Sequence, residues 1–78
     1  MRRAAHEKEK YMVQAANSQD DLAELGASYA NEWSTLKEAR ANARRVITAQ
    51  FNRENRCNLA YSQVIDTKTG ECLNDYFA

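Results

Sequence analysis

From Leu22 onward the apolar residues recur with a helical rhythm. Leu22, Tyr29, Leu36 and Ala43 stand seven positions apart, and Leu25, Ala39 and Val46 fill the companion positions. Trp33, Ile47 and Phe51 widen the stripe on one side. Residues three, four and seven apart share one side of an α-helix, so the spacing predicts an amphipathic helix packed on a partner. A coiled-coil seam meets the pattern, and one arm of a helical hairpin meets it nearly as well. Two residues disturb it. Glu32 falls inside the seam, where an unpaired carboxylate is costly. Gly26 at its edge weakens a helix by about 1 kcal/mol relative to alanine.

Residues 2–16 are rich in Ala, Glu, Lys and Arg, which extends the helical expectation towards the N-terminus. The sequence contains no proline and only Gly26 and Gly70 as glycines, so few residues break a helix. The first interruption is Asn17-Ser18-Gln19-Asp20-Asp21. Ser18 with Asp21 three residues later reads either as a variant capping box that opens a new helix or as a polar turn of one continuous helix. Beyond Arg56 the character changes. Leu59 to Ile65 carries β-type residues, Asp66 to Gly70 suits a turn, and Glu71 to Phe77 suits a returning strand. The expected architecture is therefore mainly α: a long amphipathic helix, or a helical hairpin or coiled coil, over 1–56, either continuous or broken at 17–20. A cysteine-bearing tail over 57–78 follows, as a short β-hairpin or an irregular segment.

Size and charge shift this picture towards association. A chain of 78 residues holds one domain at most, and its apolar fraction of 44% leans on alanine, with 9% aromatics. So thin a core predicts completion by another copy, as a dimer, or by a different protein. The formal net charge is zero, with 11 basic and 11 acidic residues, but the signs are segregated. Residues 17–36 hold Asp20, Asp21, Glu24 and Glu32, whereas residues 37–56 hold Lys37, Arg40, Arg44, Arg45, Arg53 and Arg56 against Glu38 and Glu54. On a single helix that order suits the helix dipole. The basic run reads as a solvated helix end, as one half of an antiparallel pairing between chains, or as a nucleic-acid contact. The last is disfavoured, because the chain has no overall basic excess and Tyr29 and Trp33 lie in its acidic half. No run of about 18 apolar residues exists to cross a membrane, and the charged start lacks the apolar stretch of a secretory signal.

Catalytic chemistry is not visible, and the chain is expected not to be an enzyme. His6, the single histidine, stands among charges without a nucleophile in context. One histidine and two distant cysteines do not make a zinc set, and no glycine-rich phosphate loop occurs. Glu7/Glu9, Asp20/Asp21 and Glu71/Asp75 read as solvated carboxylate pairs. No cofactor is expected. Cys57 and Cys72 lie fifteen positions apart. A disulfide between them would close a loop worth roughly 3 kcal/mol by chain entropy, while bonds between chains and free thiols are the alternatives.

The stretch from about Ala4 to Leu59 resembles the periplasmic region of phage inner-membrane spanins, the Rz-type lysis proteins. The likeness rests on the alanine-rich charged lead-in with Ala15-Ala16, on Tyr29 and Leu36, and on the run from Leu36 to Arg45. Glu54-Asn55-Arg56 with Leu59 beyond, then a cysteine-containing, turn-rich segment, complete it. The resemblance implies a dimeric, elongated coiled coil in the periplasm, an outer-membrane lipoprotein partner, a role in host lysis, and cysteines able to link chains. The family's N-terminal membrane anchor is not seen in this sequence. The first functional expectation is thus a non-catalytic structural and protein-interaction chain. It would use an interaction face of Leu22, Leu25, Tyr29, Trp33, Leu36, Ala43, Val46, Ile47 and Phe51. The alternative is a small phage- or plasmid-encoded helical inhibitor of a host protein, in the host cytoplasm. It would act through the face around Tyr29 and Trp33 or through the basic patch Arg40, Arg44, Arg45, Arg53 and Arg56. A third is a nucleic-acid-binding regulator acting through Arg40, Arg44 and Arg45.

Overall fold

The computed structural model describes residues 10–78. Seven elements follow in order: β1 (Tyr11–Ala16), α1 (Gln19–Leu25), β2 (Tyr29–Trp33), α2 (Leu36–Arg45), α3 (Ala49–Asn55), β3 (Tyr61–Asp66) and β4 (Cys72–Phe77). The strands form one antiparallel sheet in the order β2-β1-β3-β4. The chain is therefore a small α+β domain, which corrects the expectation of a mainly α protein built on a long helix, helical hairpin or coiled coil. The elongated coiled coil implied by the spanin resemblance is not formed. His6, Glu7 and Glu9 lie outside the described residues.

The reason for the departure is visible in the register. Tyr11, Val13 and Ala15 point to one face of β1 and pair with Trp33, Asn31 and Tyr29 of β2. Tyr29 and Trp33 are four apart, and an even spacing shares one side of a strand just as a spacing of four shares one side of a helix. Glu32, the misfit of the supposed seam, lies on the opposite face of β2 and is exposed. The seven-residue repeat is thus a coincidence across three separate elements. Leu22 belongs to α1, Tyr29 to β2, and Leu36 and Ala43 to α2.

Each helix begins at a hydroxyl cap. Ser18 Oγ accepts from the Asp21 amide at 3.0 Å, Thr35 Oγ1 from Glu38 at 3.2 Å, and Thr48 Oγ1 from Phe51 at 3.2 Å. These caps satisfy amides that a helix start otherwise leaves without a partner. Helix α1 stops at Gly26, whose φ of 88° is open to glycine, and α3 stops at Arg56 in the left-handed region at φ 56°. The β3–β4 turn is closed by Gly70 N–H to Asp66 C=O at 2.7 Å, with Gly70 at φ 78°.

Helices α2 and α3 cover one face of the sheet. Val13 and Val64 meet Ala39 and Ala43 in one buried cluster, collared by Tyr11, Tyr29, Trp33, Leu36 and Tyr76. Ala15, Val46, Phe51 and Leu59 form a second, and Tyr29 borders both. Alanines on α2 let the helix sit close to the sheet, where Ser62 Oγ donates to Ala43 C=O at 2.6 Å. On the other face α1 lies near Tyr61 and Gln63, sharing a hollow with them. None of its own residues is buried. Among the described residues no helix is long and apolar enough to cross a membrane.

Candidate functional site

The apolar side of α2, formed by Leu36, Ala39, Ala43 and Val46, is spent on the core, and this fixes where its charges go. Lys37, Arg40 and Arg44 fall on one exposed stripe, at helical spacings of three and four. That stripe borders β4. Arg40 Nε donates to Asn74 Oδ1 at 2.9 Å, and the Arg44 guanidinium lies 5.7 Å from the Tyr76 ring centroid. Arg45 points the other way and lies 5.3 Å from the ring of Phe51. Arg53 and Arg56 are exposed at the end of α3. The basic patch read from the sequence is thus carried by a single helical layer. Arg40, Arg44 and Arg45 are held there by uncharged partners that leave their positive charge in place.

The division of charge is consequently one of faces. Residues 36–56 carry six cations against Glu38 and Glu54, a net of +4. The remaining described residues carry Lys10 and Lys68 against seven carboxylates, a net of −5. A hollow of about 420 Å³ opens between α2 and α3, lined by Arg44, Arg45, Thr48, Gln50, Phe51 and Glu54 among others. It is a shallow basic notch.

Two buried or half-buried amides hold this layer to the sheet, and the hydrophobic pattern alone did not single them out. Asn42 is 5% exposed, and its Oδ1 accepts from Tyr29 Oη at 3.1 Å and from Trp33 Nε1 at 3.2 Å. Asn52 Nδ2 donates to the carbonyls of Val46, Thr48 and Leu59, while its Oδ1 accepts from the Leu59 amide at 2.6 Å and from Cys57 Sγ at 3.1 Å. The signal for Asn42 was present: a polar residue between Ala39 and Val46 on the apolar stripe of its helix needs buried partners. For Asn52 no sequence signal marked the role.

The residues expected to form one exposed apolar face are dispersed. Ala43, Val46 and Phe51 are buried, and Tyr29, Trp33, Leu36 and Ile47 pack against the two clusters. Leu22 is half-buried on α1, and Leu25 remains 81% exposed. The possible Cys57–Cys72 disulfide is also corrected, since both cysteines are free. Cys57 follows α3, just before β3, whereas Cys72 pairs with Ile65 near the far end of that strand. At about 3.3 Å per residue this separation far exceeds the reach of a disulfide.

The chemistry around Asp75 is electrostatic and local. Tyr61, 3% exposed, donates to Asp75 Oδ2 at 3.2 Å. Burial, then the negative charge of Asp75, push the Tyr61 hydroxyl up to about 12. Partial burial and the same carboxylate raise the Cys72 thiol, which makes it a poor thiolate. Among the described residues no group of three or more His, Cys, Asp or Glu could hold a metal ion. No protein family, curated protein or solved structure matches the chain.

Proposed function

We propose that this chain is a non-catalytic binding module that docks a protein partner of acidic surface on its α2–α3 layer. The proposal keeps the protein-interaction class expected from the sequence and moves the contact from a coiled-coil seam to the basic helical face. The carrying observation is the one-sided charge: +4 on the helical layer of a chain whose total is zero. Among the described residues Arg40, Arg44 and Arg45 have uncharged partners, and Arg44 and Arg45 rest on rings that orient them. Fields of this kind steer an oppositely charged partner and set its orientation.

Titration with polyglutamate tests the reading. Micromolar, salt-sensitive binding is expected, with amide shifts confined to residues 36–56, and loss of about tenfold or more in an Arg44→Glu/Arg45→Glu variant that keeps its fold. Absence of binding at low ionic strength, or shifts that map instead to the open face of the sheet, overturns it.

A further inference from the structure

The basic stripe does more than charge one face, because it stands beside a sheet edge that no other described strand pairs. The two edges of the sheet are β2 and β4. On β2 the Glu32 N–H is already taken by the Asn31 side chain, whose Oδ1 accepts it at 2.9 Å. On β4 the ladder leaves groups facing outward. Ala78 N–H donates to Ala60 C=O at 2.9 Å, so antiparallel alternation makes Ser62–Tyr76 and Val64–Asn74 the hydrogen-bonded pairs with β3. The N–H and C=O groups of Asp75 and Phe77 then point away from β3 to the free side. The register shift opposite Val64 and Ile65 lies at the start of β4, leaving its second half regular. Strand β4 contains none of the prolines that often close such an edge.

The two sides of this edge differ in chemistry. On the helical side Asn74 and Tyr76 carry Arg40 and Arg44 beside them. On the other side stand Asp75 and Phe77, the latter 62% exposed. A strand added to β4 presents its side chains alternately to these two rows. Acidic residues fit the row beside Arg40 and Arg44 and are repelled by Asp75 on the opposite row, where apolar residues cover Phe77. We infer that β4 accepts an extended peptide segment of the partner as a fifth strand, with acidic and apolar residues alternating along it. This rests on the proposed basic docking layer and names the partner's form.

The probe is a synthetic peptide of about nine residues alternating valine and glutamate, set against a block peptide of the same composition. The alternating peptide is expected to bind about tenfold more tightly than the block peptide, with the amides of Asp75 and Phe77 shifted and slowed in exchange. Arg40→Glu/Arg44→Glu and Asp75→Pro should each weaken it about tenfold or more. The proline removes an outward N–H that the internal ladder does not use, and circular dichroism checks that the sheet persists. Equal binding of both peptides, or unchanged Asp75 and Phe77 amides in the unmodified chain, overturns strand addition while leaving the basic layer standing. Loss of binding to polyglutamate as well removes both. Preference for single-stranded RNA over the alternating peptide, through the same arginines, overturns the peptide and the protein partner together.

Discussion

At the scale of single residues, the most connected side chain among the described residues is Asn52. Its amide joins the α2–α3 link, the Cys57 thiol and the approach to β3 through three donated and two accepted hydrogen bonds. The Leu59 amide it satisfies belongs to a residue 4% exposed, so removing the acceptor strands a donor away from water. Asn52→Ala is expected to cost about 3 kcal/mol in urea unfolding. Asn52→Asp should be no better, since a carboxylate keeps the acceptor but faces three carbonyls; full stability in either variant would show that the network is incidental. Tyr61 gives a second residue-scale test. Its hydroxyl is harder to ionise in the folded chain than in the unfolded one, so its contribution is complete below about pH 10 and is lost as pH rises towards 12. Stability relative to Tyr61→Phe should therefore fall between pH 10 and 12, and parallel curves for the two proteins would contradict the assignment.

At the scale of elements, the caps separate helices that carry the core from one that does not. Helix α2 buries Ala39, Asn42 and Ala43, whereas α1 buries nothing. Thr35→Ala should lower global stability by about 1 kcal/mol, and Ser18→Ala by only a few tenths, with its loss read as local fraying in amide exchange. Comparable global losses would mean that α1 is more firmly docked than its burial indicates. The same contrast explains what the sequence could and could not disclose. Ser18 with Asp21 carried a cap that local chemistry alone determines, and the turn from Asp66 to Gly70 carried its own glycine at positive φ. Strand β1 had no such local mark. Tyr11–Ala16 follows strong helix formers and contains two alanines, and its extended form comes from pairing with Trp33 to Tyr29 on one side and Asp66 to Tyr61 on the other. Those contacts reach up to 55 residues along the chain, beyond any local period. The arginines of the basic layer were legible because charge is read directly from composition. Their position beside β4 was not, because it depends on where β3 enters the sheet.

At the scale of the whole molecule, thin packing and divided charge oppose each other. The buried clusters are mostly alanine and valine, which supply little apolar area per residue, so the margin of stability is expected to be small. Gathering six cations on one layer with two carboxylates adds repulsion that a stability-optimised chain of zero net charge could avoid by mixing its signs. Retaining that repulsion is the pattern of a surface kept for a ligand at some expense of stability. An anion that binds the folded layer should relieve it by mass action. Thermal unfolding in phosphate, compared with chloride at matched ionic strength, should therefore show the higher Tm for the parent chain. In Arg40→Glu/Arg44→Glu the Tm in chloride should rise and the phosphate increment should shrink. The two changes are coupled, because the same guanidiniums produce the repulsion and receive the anion. If the variant melts lower in chloride and keeps its phosphate increment, Arg40 and Arg44 act through Asn74 and Tyr76 as structural braces, and the anion site lies elsewhere.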